Sequence, residues 1–133
     1  MKRAIAVAGS VALVGTALVA AAAPASADVE AKGSCSGASS WHASLDFEHR
    51  KHDLEFEVKT ATPGQRWRLT IRQNGKQVYS QVRRAVRTDD ASPRAEVQWD
   101  VMRPDDVNAR ERFVLRATNL ATGEVCRTTL REA

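Results

Sequence analysis

The sequence predicts an all-β domain, a seven-stranded antiparallel sandwich of two sheets, and three observations carry that expectation. Apolar and polar residues alternate in segment after segment beyond Cys35, the period of a half-buried strand. Turn residues punctuate the segments at short intervals, Asn74-Gly75 most clearly. The only two cysteines, Cys35 and Cys126, bracket this whole region.

Ahead of the strands lies an export signal. Lys2 and Arg3 form a positive start, residues 4–23 are small and apolar, and Ala25-Ser26-Ala27 fits the small-residue cleavage rule. The competing reading, a membrane span, is disfavoured by the alanine-rich composition, by Gly9 and Gly15, and by Pro24 beside a cleavable site. The expected organisation is therefore a signal over 1–27 and one domain over 28–133, extracellular and without a membrane anchor. Removing the signal lowers the formal charge from +4 to +2, because it takes away Lys2 and Arg3 and no acid. Overall charge thus excludes nothing about partners.

In an exported chain two cysteines most often pair. Metal or redox pairs favour close spacing such as C-x-x-C, which these lack. Cys35 shares the parity of Trp41, and Cys126 that of Leu130, so the bridge is expected to join the first and last strands with both sulfurs facing the core.

The strands follow in order. Trp41, Ala43, Leu45 and Phe47 share one face, and Leu54, Phe56 and Val58 share the next, joined by a polar linker from Glu48 to Asp53. After Pro63-Gly64, Trp67, Leu69 and Ile71 alternate with arginines. A two-residue Asn74-Gly75 loop would set Ile71 opposite Val78, Leu69 opposite Ser80 and Trp67 opposite Val82, with the apolar residues on one side. Thr88 to Pro93 reads as a loop, and Ala95, Val97, Trp99 and Val101 form a fifth strand. Met102 to Ala109 reads as a connection with room for one helical turn near Pro104. Phe113, Leu115 and Ala117, then Cys126, Thr128 and Leu130, close the set with a hairpin turning at Asn119 to Gly123.

That closing hairpin resembles the last two strands of immunoglobulin-like and fibronectin type III modules. The region from Gly33 to Leu130 also resembles a group of small secreted actinomycete proteins. Its recurring motifs are Cys35-Ser36-Gly37, Pro63-Gly64-Gln65-Arg66-Trp67-Arg68, Asn74-Gly75 and the closing run from Ala117 to Cys126. The resemblance implies the fold and export, and carries no activity. A bridge from first strand to last departs from the antibody pattern, in which two middle strands are joined, so antibody-like function does not transfer.

Candidate chemistry is sparse. Between Lys59 and Arg87 stand eight basic residues and no acid. The expected hairpin register places Arg66, Arg68, Arg72, Gln77, Tyr79, Gln81 and Arg83 on its outer face, with Lys76 at the turn. Guanidinium forks match phosphate and carboxylate oxygens, so this stripe suits an anionic wall polymer or surface protein. The plainer reading is a solvated sheet face whose charges keep a strand edge from aggregating. No recognition motif points to specific nucleic acid binding.

His49 and His52 with Asp53 hold a metal-like spacing, but Arg50 and Lys51 stand between them and repel a cation, so exposed imidazoles in a turn are expected. Trp41, Trp67 and Trp99 all share the inward parity and read as core rather than as a sugar platform, with Tyr79 exposed. No nucleophile elbow appears, and the acidic pairs sit in loops or side by side in sequence. The sequence thus points to a non-enzymatic secreted module without metal or cofactor. The alternative is an inhibitor using Thr88 to Arg94, or a carrier with an apolar cleft between its sheets.

Overall fold

A computed structural model describes residues 28–88, 94–105 and 110–132. The expected signal over 1–27 lies outside these residues, as do most of the Thr88 to Arg94 loop and most of the expected helical turn after Pro104.

Among the described residues nine strands are present rather than seven, and all pair antiparallel. They are β1 (Val29–Ser34), β2 (Ser40–Glu48), β3 (Lys51–Thr60), β4 (Arg66–Gln73), β5 (Lys76–Arg84), β6 (Val86–Arg87), β7 (Ala95–Pro104), β8 (Arg112–Asn119) and β9 (Val125–Arg131). One sheet has the order β1-β2-β3-β7-β6 and the other β5-β4-β8-β9. The two additions are β1 and the two-residue β6. In β1 the inward positions are Val29, Ala31 and Gly33, side chains too small to advertise a strand.

Between the sheets the alternation becomes a packed interior. Phe56, Trp67, Leu69, Trp99, Phe113 and Leu115 are at most 1% exposed. Burying such side chains stabilises by roughly 1.5–3 kcal/mol each, the main force holding the sheets together. Trp67 and Trp99 are core as expected. Trp41 is only half-buried: its ring stacks on Phe56 and lies over Gly33, where a Cβ would approach it to 2.8 Å.

Two turns are tight. Asn74 and Gly75 take φ of 52° and 85°, as a type I′ turn requires. The linker expected over Glu48 to Asp53 is also a two-residue turn, His49-Arg50, with φ of 53° and 62°. Histidine enters that region more readily than most residues, but arginine does not, so the strain of the turn falls on Arg50.

The Cys35-Ser36-Gly37, Pro63 to Arg68 and Ala117 to Cys126 segments meet at two junctions. At the first, Cys35 and Cys126 are bonded with Cα atoms 4.3 Å apart. Cys35 lies just past β1, not within the first strand as expected, and is half-buried, while Cys126 on β9 is fully buried. Ser36 N donates to Val125 O at 2.8 Å, and Val125 N donates to Ser36 Oγ at 2.8 Å. The Glu124 carboxylate accepts from Ser39 N at 2.9 Å and Ser39 Oγ at 2.8 Å, and it sits so close to Gly37 that a Cβ there would be 2.5 Å away. At the second junction, Gly64 N donates to Ala85 O, Asn119 Nδ2 to Gln65 Oε1, and Leu120 N to Arg66 O, all within 2.9 Å. These motif residues fasten the edges of the sandwich.

Candidate anion-binding face

The outer face of the four-stranded sheet is built by strand parity. Because Trp67, Leu69 and Ile71 point inward on β4, Arg66, Arg68, Thr70 and Arg72 point out. Phe113, Leu115 and Ala117 do the same on β8, turning Arg112, Val114, Arg116 and Thr118 outward. On β9, inward Cys126 and Leu130 leave Arg127, Thr129 and Arg131 outside, and on the edge strand Arg84 stands opposite Arg66. Eight charged residues result: Arg66, Arg68, Arg72 and Arg84, then Arg112, Arg116, Arg127 and Arg131. All are exposed, all are arginine, and no carboxylate shares the outward positions of these strands.

The register sets like charges directly against one another. Arg116 is paired with Arg127, Arg112 with Arg131, and Arg66 with Arg84. Like charges directly opposite on a sheet are destabilising. Among the described residues none of the eight arginines is within ion-pair distance of a carboxylate. A groove of about 360 Å³ lies on this face toward the Asn74-Gly75 turn, lined by Thr70, Arg72, Gly75, Arg112, Arg116 and Arg127 among others.

The sequence-predicted stripe is divided by a bulge. Arg72 pairs with Gln77, but Ile71 pairs with Tyr79, leaving Val78 as the extra residue. Beyond it every β5 side chain is on the face opposite to that expected, since one inserted residue reverses the parity. Arg66, Arg68 and Arg72 therefore stand on the arginine face, and Lys76 sits exposed at the turn. Tyr79, Gln81 and Arg83 share the side of Trp67 and Leu69 instead. Tyr79 is half-buried, which raises its pKa, and its hydroxyl donates to Gln81. Arg83 donates to Gln98 O at 2.8 Å and so ties β5 to β7 of the other sheet. Arg84, Arg112, Arg116, Arg127 and Arg131 were outside the stripe, although the alternation of β8 and β9 already turns four of them outward.

The five-stranded sheet presents the reverse charge. Its outward positions carry eight carboxylates: Glu30, Asp46, Glu48 and Asp53, then Glu55, Glu57, Glu96 and Asp100, against Lys32, Lys51 and Lys59. Asp46 is paired with Asp53, and Glu55 with Asp100. A hydrogen bond between Asp53 and Asp100, with burial and the negative charge of Asp100 adding to it, raises the Asp53 pKa to about 6. A hydrogen bond with Asp28 raises that of Asp46, and burial followed by the charge of Glu57 raises that of Glu96.

The expected histidine turn is only half present. His49 is exposed at the turn, but His52 is 0% exposed, continuing the inward parity of Leu54, and the two do not converge. The His52 ring lies between Phe47 and Phe113, at 4.7 and 5.1 Å. Its Nε2 is 3.1 Å from Asp105 Oδ1, and its Nδ1 has no hydrogen-bond partner among the described residues. Beside it, buried Glu111 accepts from Gln73 Nε2 at 3.1 Å and Asn74 Nδ2 at 2.9 Å, and its own N donates to Glu132 Oε2 at 3.2 Å. His52, Asp105 and Glu132 offer donor atoms within 4.8 Å of one another. A ligating histidine usually donates its second ring nitrogen to an acceptor, which Nδ1 lacks here, so the group reads as a polar plug closing one end of the sandwich.

The chain matches no protein-family model, no curated protein and no solved structure. No helix among the described residues is long and apolar enough to cross a membrane. The disulfide is consistent with an oxidising, extracellular setting.

Proposed function

We propose that this protein is an exported, non-enzymatic module of the immunoglobulin or fibronectin type III kind that binds an anionic polymer on its arginine face. Strand order supports the fold reading. With β1 set aside, β2-β3-β7-β6 against β5-β4-β8-β9 follows the two-sheet order of that class, with one additional strand beside the second sheet.

The observation that carries the function is the set of three arginine pairs standing opposite one another on a face without carboxylates. Solubility asks for mixed charges, and edge protection asks for charge only on edge strands. Neither accounts for Arg68, Arg72, Arg112 and Arg116 on the two central strands. Exclusive use of arginine fits recognition of phosphate or carboxylate oxygens by planar forks, whereas the bases on the opposite face are lysines. An anion laid along the groove beside Arg112, Arg116 and Arg127 would relieve the repulsion between opposed arginines. A wall polymer of the polyol-phosphate type has the repeating charge that several arginines can engage together.

The test is retention on immobilised poly(glycerol phosphate), with a polyuronate as the carboxylate counterpart. Wild type should bind the phosphate polymer at low salt and elute as salt rises, and the Arg68→Glu, Arg116→Glu, Arg127→Glu variant should flow through. Equal retention of the two proteins contradicts the proposal.

A further inference from the structure

The two outer faces of the sandwich are opposite in charge and alike in layout. One has arginines directly opposed across neighbouring strands at Arg116–Arg127 and Arg112–Arg131. The other has carboxylates directly opposed at Asp46–Asp53 and Glu55–Asp100. Both sets sit on the same grid, strands about 4.8 Å apart with outward side chains every second residue. Each face therefore holds like charges at spacings that the other face can neutralise.

We infer that the protein self-associates head to tail, the arginine face of one copy resting on the carboxylate face of the next. Because the faces lie on opposite sides of the sandwich, the contact is heterologous and does not close, so copies add in an open stack. Four strands by some seven residues give a planar footprint on the order of 450 Å², below the roughly 800 Å² per partner of a standard stable interface. The association is accordingly weak, fast and governed by ionic strength. This inference is independent of the polymer reading. Both use the arginine face, so a bound polyanion dissolves the stack.

Sedimentation velocity of the purified protein tests it. At low salt the weight-average sedimentation coefficient should rise with protein concentration, and at high salt it should fall to the monomer value. Glu55→Lys with Asp100→Lys, and separately Arg116→Glu with Arg127→Glu, should each weaken association at least about tenfold. An equimolar mixture of the two variants should recover it, because one retains the arginine face and the other the carboxylate face. The neutral variant Glu55→Gln with Asp100→Asn should also associate more weakly, which keeps the test decisive if a charge reversal fails to fold. A wild type that stays monomeric at low salt overturns the inference, as does a mixture that does not recover association.

Discussion

Arg116 on β8 and Arg127 on β9 are cross-strand partners, two guanidinium side chains directly opposite on an exposed sheet face. Such a pair works against the fold that holds it. Arg127→Thr should therefore stabilise the protein, by about 0.5 kcal/mol if the pair follows other like-charge pairs on sheets. The same substitution should weaken polymer binding. Thermal denaturation beside polymer retention separates the effects, and a variant less stable than wild type contradicts the account of this face.

The junction at Cys35 and Cys126 should dominate stability. The bridge spans 91 positions, for which the chain-entropy account gives about 4–5 kcal/mol. Cys35→Ala with Cys126→Ala should lower the denaturant midpoint far more than Glu124→Ala. The latter removes two hydrogen bonds to Ser39 and should cost about 1–2 kcal/mol. Urea titrations of both variants check the order.

The His49-Arg50 turn should respond in the other direction. Arg50 holds φ of 62°, a conformation open to glycine without penalty. Arg50→Gly should raise stability by about 0.5–1 kcal/mol, because relief of left-handed strain exceeds the added freedom of the unfolded chain. A lower melting temperature would show the strain to be absent.

Stability should also depend on pH through the carboxylate face. In the folded protein the Asp53 pKa is raised from 3.8 to about 6, so between these values the native state binds more protons than the unfolded chain. The resulting stabilisation is present below about pH 4 and is lost as pH rises through about 6. Asp53 is half-buried on an outer sheet face, where solvent screens part of the interaction, so the effect is modest. The melting temperature, taken at constant ionic strength, should show a smaller decline over this window in Asp53→Asn than in wild type.

Much of the fold was legible because alternation reports burial directly. Trp67, Leu69 and Ile71, or Phe113, Leu115 and Ala117, name their strand and its inward side without further information. The Asn74-Gly75 turn was legible for an equally local reason, and the cysteine pairing because the sequence holds only two. What was not legible depends on partners remote in sequence. The bulge at Val78 reverses Tyr79 and Arg83, and no residue in the hairpin marks it. β1 is a strand because β2 offers it an edge, with Gly33 bare so that the Trp41 ring can lie across it. His52 was misread although the parity of Leu54 and Phe56, carried back one step, already turns it inward. The arginine face was seen in part because charge was followed along one hairpin, whereas the face is assembled from four strands.

The central claim is that the opposed arginines form a polyanion site, and the salt dependence of affinity for poly(glycerol phosphate) tests it most directly. Log affinity should fall linearly with log salt, losing about tenfold or more between roughly 50 and 200 mM, with a shallower slope in Arg116→Thr, Arg127→Thr. An affinity that does not change with salt, or a slope unchanged in that variant, would contradict it.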